Sequence, residues 1–277
     1  MRLAGPGLAP QSASWKARLA LEFERQEGRT VLARREHDGP LVVQKPLYPE
    51  GPDVCQAIVV HPPGGIAGGD ELELHVLVES DASALVATPG ASKWYRSAGP
   101  RASQRLSFRV AGMLEWLPHE SILFNGALAG MACEVELEQD ARYIGWEILC
   151  LGRKGSGESF DQGSIALAAR ITRNRKLLWW EQGSIEGGAR LMSSPAGLGG
   201  RTVCGTLLAS APAFEESLVK ELRSIADVSV TCLPGVLVAR YLGDSSETAK
   251  KRFVELWKML RPAFAGREAI EPRIWST

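Results

Sequence analysis

Residues 15–23 read WKARLALEF, and their alternation is the first indication of the fold class. Every second residue from Trp15 onwards is apolar, and three of the four residues between them are charged. Successive side chains of a β-strand point to opposite faces, so a period of two residues predicts a strand with one buried face. We therefore predict that regular structure begins with a strand at Trp15.

The same kind of pattern continues through most of the chain. Short apolar or alternating runs are separated by Gly, Asp, Asn or Pro, which favour turns. The predicted strands after the first are 30–33, 41–44, 57–60, 72–78, 84–88, 105–110, 113–117, 132–137, 143–149, 165–171 and 177–180. Many short strands joined by turns predict a mainly β fold, a layered or sandwich-like body over residues 15–205. No helical spacing competes with this pattern before about residue 212.

Residues 206–277 differ and predict a small α+β lobe with two helices. A first helix opens near Pro212, with acidic residues in its first turn and apolar residues at helical spacing. Two strands follow at 228–233 and 236–242, around a Pro-Gly turn.

The second helix of the lobe begins after Ser245 or Ser246, either of which is a suitable N-cap. Its apolar side carries Phe253 and Trp257, and the pattern predicts that the helix ends at Pro262. No long linker separates the lobe from the body, so we expect the two to pack as one structural unit. Residues 1–14 are rich in Ala, Gly, Pro and Ser, and we expect a disordered leader there.

Composition limits the classes of partner. The 32 basic and 32 acidic residues give a formal net charge of zero, which favours neither nucleic acid nor an anionic membrane surface as a partner. No apolar run reaches the roughly 20 residues of a membrane helix, and the N-terminus lacks the apolar core of a secretory signal. We expect a cytoplasmic protein. The five scattered cysteines then predict buried free thiols rather than disulfides.

Familiar catalytic motifs are missing from the sequence. There is no GxxxxGK[ST], GxSxG, HExxH or CxxC. Three loop segments nevertheless contain more Gly, Pro and polar residues than simple connections need: HPPGGIAGGDELEL at 61–74, TPGASKWYRS at 88–97 and CLGRKGSGE at 150–158. Two interpretations stay open, namely tight turns of a β body and polar loops that line one channel or one partner surface.

These segments resemble the urease accessory protein family called UreD, or UreH in some bacteria. The resemblance also includes LEWLPHESILF at 114–124, GWEILCLGRKGSGESF at 145–160 and PRIW at 272–275. It runs in order and with matching spacing from Trp15 to Thr277.

The resemblance implies a non-enzymatic role in the maturation of a nickel enzyme. Family members bind apo-urease and a helical accessory protein, UreF, through which they recruit the GTPase UreG. Two copies are expected in the accessory complex. Nickel is thought to pass through a water-filled tunnel inside the UreD-type protein, so the resemblance implies transient Ni²⁺ and no tightly bound cofactor.

A tunnel should hold the ion weakly, and scattered carboxylates, hydroxyls and imidazoles fit that need. The candidate tunnel residues are Asp70, Glu71, Ser92, Glu147, Glu181, His61 and Glu120. Asp70 has a second interpretation, in which it only caps the turn after Gly69.

Three other functions remain open at this point. The chain would bind nickel tightly by itself as a metallochaperone, although its His and Cys residues are dispersed. It would act as a small-molecule enzyme if His119, Glu120 or Glu147 served as acid or base. It would be a docking adaptor without a metal conduit if only its surfaces mattered.

Overall fold

The computed structural model describes residues 14–276, so the predicted leader lies outside the described residues except for Ser14. The strands within this part of the chain are β1 Lys16–Gln26, β2 Arg29–Asp38, β3 Val42–Val43, β4 Val54–Val60, β5 Glu71–Val78, β6 Ser83–Ala87, β7 Ser92–Trp94, β8 Ala102–Val110, β9 Met113–Leu117, β10 Ser121–Leu123, β11 Leu128–Leu137, β12 Arg142–Leu151, β13 Ser164–Arg173, β14 Lys176–Glu186, β15 Val203–Ser210, β16 Val228–Leu233 and β17 Val236–Gly243.

The helices of residues 14–276 are α1 Arg190–Ser193, α2 Glu216–Leu222 and α3 Ser246–Ala265. Two short 3-10 helices lie at Lys154–Ser156 and Arg273–Ser276. Within the same residues, no helix combines the length and the apolar character needed to cross a membrane. Strands far outnumber helices, and the predicted mainly β class is confirmed.

The strands form two large sheets that face each other. The order of the first sheet is β14-β13-β11-β8-β5-β1-β2, and that of the second is β16-β17-β15-β12-β9-β6-β4-β3, with β10 and β7 attached beside β12. From β4 to β13 the longer strands belong alternately to the second and the first sheet. Each strand therefore pairs with the next strand of its own sheet, and the two run parallel. Parallel neighbours need such crossovers, because a tight hairpin joins only antiparallel strands.

Parallel register stacks equivalent side chains in columns across the first sheet. One buried column on the inner face consists of Leu21, Val76, Phe108, Val135 and Ile171. From the facing sheet, the rings of Trp116 and Tyr143 lie 5.8 and 6.2 Å from the Phe108 ring. The apolar residues of the alternating pattern in β1 therefore point into the space between the two sheets.

The outer face of the second sheet is covered by α3. Phe253, Trp257 and Leu260 of the helix form a second buried cluster with Trp146 and Leu207 of the sheet. Ser245 is the N-cap of α3, and its side chain accepts a hydrogen bond from the N–H of Thr248 at 3.1 Å. One of the two predicted caps is thereby confirmed.

The prediction that this helix ends at Pro262 is wrong, because α3 continues to Ala265. Pro262 lies three residues before the end of the helix, and its missing N–H costs the helix one backbone hydrogen bond. Gly266, with φ 65°, donates its N–H to the Pro262 carbonyl at 2.9 Å and closes the helix. Phe264 is buried and holds the last turn against its neighbours.

Other details also differ from the sequence predictions. Helix α1 lies before residue 212, and the strands β7, β10 and β15 were not predicted. Gly205 interrupts the pattern of β15, but a side chain there would collide with the Phe253 ring, so the glycine allows α3 to approach the sheet. The boundary between the predicted body (15–205) and the predicted lobe (206–277) falls inside β15. The strands β15, β16 and β17 all belong to the second sheet.

All five cysteines are free, as expected, but only Cys55 is fully buried. The other four keep part of their accessible surface, which corrects the expectation that all are core residues. Two of them, Cys133 and Cys204, lie close enough to Glu147 for its charge to raise the pKa of their thiols.

Candidate functional site

Asp70 organises the glycine-rich loop between β4 and β5. The residue is only 4% exposed, and its two carboxylate oxygens accept backbone hydrogen bonds. Oδ1 accepts from the N–H of Trp15 at 2.8 Å, and Oδ2 accepts from the N–H of Ala67 at 2.7 Å. These contacts fit the interpretation of Asp70 as a turn cap, since both oxygens already have partners.

Glu71, the next residue, lies on the outer face of the first sheet, which points away from the second sheet. Its neighbour Leu72 points into the core, so the Glu71 side chain points outwards. The carboxylate is half exposed and lies 3.5 Å from Lys16 Nζ. The structure therefore separates the two adjacent acids, and only the outer face is available to Glu71.

A cavity of about 160 Å³ lies at one end of the space between the sheets, and it brings His61 and Ser92 together. Loops 61–66 and 88–93 form one side of it. Its polar and charged lining residues are His61, Thr88, Ser92, Lys93 and Gln104. A side chain at Gly65 would overlap the Tyr95 ring, so this glycine allows the first loop to pack against the segment that follows the second.

His61 is uncharged at neutral pH in this setting. Desolvation lowers its pKa, and this effect outweighs the attraction of the Asp70 carboxylate. Its Nε2 atom has no hydrogen-bond partner within residues 14–276. A neutral imidazole is the form that accepts a metal ion, so the cavity contains one group able to bind a divalent cation weakly.

Glu147 lies deeper between the sheets, on the inner face of β12. It shares this face with Tyr143 and Leu149, whereas Trp146 and Ile148 face α3. Desolvation raises its pKa to about 7, and no basic neighbour in the described part of the chain offsets this rise. The residue still keeps part of its accessible surface.

The groups around Glu147 are thiols and hydroxyls. Desolvation, together with the charge of Glu147, raises the pKa of Cys133 and of Cys204 to about 12 in each case. Both thiols are therefore protonated at neutral pH. Thr206 pairs with Glu147 in the sheet register, so its side chain lies on the same inner face. Uncharged thiols and a hydroxyl therefore lie beside Glu147.

Glu181 and Arg240 lie where the two sheets face each other near their edges. Glu181 is on the inner face of β14, and Arg240 is on the inner face of β17. Arg240 Nη2 donates to Glu181 Oε1 at 2.7 Å, and Nη1 donates to Thr206 Oγ1 at 2.9 Å. Register aligns Glu147, Thr206 and Arg240 across three neighbouring strands, and Glu181 meets this row from the facing sheet.

Glu120 lies apart from this row, next to the N-terminus of α3. Its Oε1 accepts from Ser246 Oγ at 3.4 Å, and its Oε2 lies 3.7 Å from His119 Nδ1. The neighbouring His119 ring lowers the pKa of Glu120. Lys250 Nζ is 3.1 Å from the His119 ring. This cluster therefore belongs to the helix side of the second sheet, away from Glu147.

The structure thus brings five of the seven candidates into three places: a cavity with His61 and Ser92, the space between the sheets with Glu147 and Glu181, and the α3 side with Glu120. Asp70 holds the glycine-rich loop, and Glu71 lies on the outer face of the first sheet. Residues 14–276 contain no group of three or more His, Cys, Asp or Glu side chains arranged to hold a metal ion. Sequence reasoning missed Thr206 and Arg240. No local signal marks them, because only the register of β12, β15 and β17 places them beside Glu147.

Comparison with known proteins places the chain in a family. The sequence model of the family described as "UreD urease accessory protein" matches residues 16–276. The urease accessory protein UreD of Dechloromonas aromatica (strain RCB) is 51% identical over 276 residues, which cover 96% of each sequence. The UreD of Azoarcus sp. (strain BH72) is 49% identical over 269 residues, covering 95% of this chain and 94% of that protein.

A third relative with the same name is also similar over nearly its whole length. The UreD of Methylobacillus flagellatus is 44% identical over 270 residues, covering 95% of each sequence. The match includes both sheets, α3 and the C-terminal 3-10 helix, so it is not limited to one motif. The chain therefore belongs to the UreD family of urease accessory proteins.

Proposed function

We propose that this protein delivers nickel to apo-urease as a scaffold between urease and the UreF–UreG complex. Family membership supports a role in urease maturation. In the proposed complex the chain contacts urease directly, contacts UreF directly and reaches the GTPase UreG through UreF, with two copies in the assembly. It acts in the cytoplasm and catalyses no reaction of its own.

The proposed path of Ni²⁺ runs through the space between the two sheets. The observation that carries this proposal is the position of Glu147, a desolvated carboxyl on the inner face of β12 without a basic partner in residues 14–276. Trp116, which lines the cavity of His61 and Ser92, pairs with Gly145 on β12. Glu147 follows Gly145 by two residues and lies on the same face of β12. Glu147 is therefore the next inner-face residue of β12 after the one that adjoins the cavity.

Weak binding is what such a path requires. Nickel accepts carboxylate, imidazole and water ligands. Groups spaced along the path, each contributing one ligand beside water, hold the ion briefly and let it move on. Transient Ni²⁺ is therefore the proposed cargo, and no resident cofactor is proposed.

The experiment that tests this function is the nickel content of the cognate urease, purified from cells with and without this chain while all other accessory proteins are present. We expect urease made without the chain to contain almost no nickel. Equal nickel loading in both cells would contradict the maturation role. Tight Ni²⁺ binding by the chain alone, measured by equilibrium dialysis, would instead favour a metallochaperone.

A further inference from the structure

The ion pair of Arg240 and Glu181 places a fixed positive charge beside the proposed path. The pair joins β17 of the second sheet to β14 of the first, and β14 is the last strand of its sheet. The side chains are 43% and 36% exposed, so the pair lies at the boundary between the inner space and solvent. Its N–O distance of 2.7 Å is that of a strong charged hydrogen bond.

Arg240 is held in this position by a second contact. Its other terminal nitrogen donates to Thr206 Oγ1 at 2.9 Å, and Thr206 lies between Arg240 and Glu147 in the sheet register. The guanidinium is thus anchored to both sheets rather than free to move with solvent. A guanidinium stays protonated at any pH the protein meets, so this charge is permanent.

The neighbouring groups leave Glu181 as the main attraction for a cation at this point. Thr206 is uncharged, and Cys204 is protonated because its pKa is about 12. Without Arg240, the Glu181 carboxylate would be an unpaired anion at the edge of a polar space. With Arg240 in place, a divalent cation must approach a positive charge and displace a good hydrogen bond.

We propose that Arg240 is a positioning residue that neutralises Glu181 and so prevents this carboxylate from trapping a divalent cation. The inference rests on the proposed function for its biological meaning, because a trap at this point would hold the cargo. Its physical content is independent of that function. It concerns only the affinity of Glu181 for a divalent cation.

The test measures Ni²⁺ binding to the purified full-length chain by equilibrium dialysis. We expect Arg240→Ala and Arg240→Gln each to tighten Ni²⁺ binding roughly tenfold or more, because a nearby positive charge is removed. Arg240→Lys keeps the charge and should bind like the wild type. The double variant R240A/E181Q should lose the gain, because the carboxylate is gone.

Arg35→Ala is the control, because Arg35 donates to the backbone carbonyl of Val43 at 2.9 Å and its removal frees no carboxylate. It should leave Ni²⁺ binding unchanged. Circular dichroism verifies that each variant is folded, and the glutamine variant, which keeps most of the side-chain volume, replaces the alanine variant if that one unfolds.

Two results would overturn the inference: no gain in Ni²⁺ affinity in the folded Arg240→Gln protein, or a gain that persists in R240A/E181Q. Failure of the proposed function looks different. If Arg240→Gln binds Ni²⁺ more tightly but urease acquires nickel equally well without this chain, the role of Arg240 stands and the maturation role fails. If both proposals hold, Arg240→Gln should also lower the nickel content of urease.

Discussion

Arg261 of α3 and Glu115 of β9 form an ion pair that is completely buried between the helix and the second sheet. Arg261 Nε lies 3.0 Å from Glu115 Oε1, and both side chains have no exposed surface. Trp257 Nε1 donates to the same oxygen at 2.5 Å. Arg261 Nη1 also lies 2.5 Å from Glu50 Oε2. One arginine thus connects α3 to the sheet and to the loop before β4.

Removing the arginine should destabilise the protein strongly. Arg261→Met leaves two carboxylates buried without a counter-charge, and breaking a buried pair in this way costs about 3–5 kcal/mol. Urea unfolding of the purified chain measures the loss in free energy of unfolding.

The control is on the same helix. Arg252 pairs with Asp227 at 2.9 Å and with Glu255 at 3.0 Å, where solvent reaches the partners. Arg252→Met should cost about 1 kcal/mol or less. Similar losses for the two variants would contradict the importance of the buried pair.

Glu147 should make the stability depend on pH. Its pKa is about 7 in the folded protein, against an ordinary value of 4.5. The folded state therefore binds the proton more tightly than the unfolded state, so the stabilisation is complete below pH 4.5 and is lost as the pH rises through 7. The loss amounts to about 3 kcal/mol, at about 1.4 kcal/mol for each pKa unit.

Glu147→Gln should remove this contribution. The free energy of unfolding, measured at pH 5 and pH 8, should fall less between the two values in the variant than in the wild type. Glu73→Gln, on the outer face of the first sheet, is the control and should keep the wild-type difference. An unchanged pH difference in Glu147→Gln would show that the carboxyl is not desolvated.

Asp70 and Glu71 should respond very differently to alanine. Asp70→Ala leaves the N–H groups of Trp15 and Ala67 without their acceptor and should cost about 1–3 kcal/mol of stability. Glu71→Ala removes only a partly exposed contact with Lys16 and should change stability by about 0.5 kcal/mol or less. Thermal unfolding compares the two, and a larger loss for Glu71→Ala would contradict the assignment of Asp70 as the residue that holds the loop.

Local patterns in the sequence predicted much of the fold. The alternation at 15–23 located β1, and Ser245 marked the start of α3, because both signals depend on neighbours within a few residues. Strand β15 was missed because Gly205 reads as a break, although its cause is the approach of Phe253 from a helix about 50 residues later in the sequence. Local reasoning also overstated Pro262, which the last turn of α3 accommodates.

The candidate site was less accessible to such reasoning. The alternation of β5 is a local pattern, and it is what places Glu71 on the outer face of the first sheet. The row of Glu147, Thr206 and Arg240, however, depends on the register of three strands that are distant in sequence. The pairing of Arg240 with Glu181 depends further on how the two sheets face each other. No pattern within a single strand contains that information.

The most direct test of nickel passage through the interior uses Glu147→Gln in cells that contain urease and all other accessory proteins. The change keeps the size of the side chain and removes the carboxylate, and co-purification with urease verifies that the complex still forms. We predict that the nickel content of purified urease falls severalfold relative to cells with the wild-type chain, whereas Glu73→Gln leaves it unchanged. Wild-type nickel content with Glu147→Gln would contradict a path past this residue and favour a docking adaptor without a conduit.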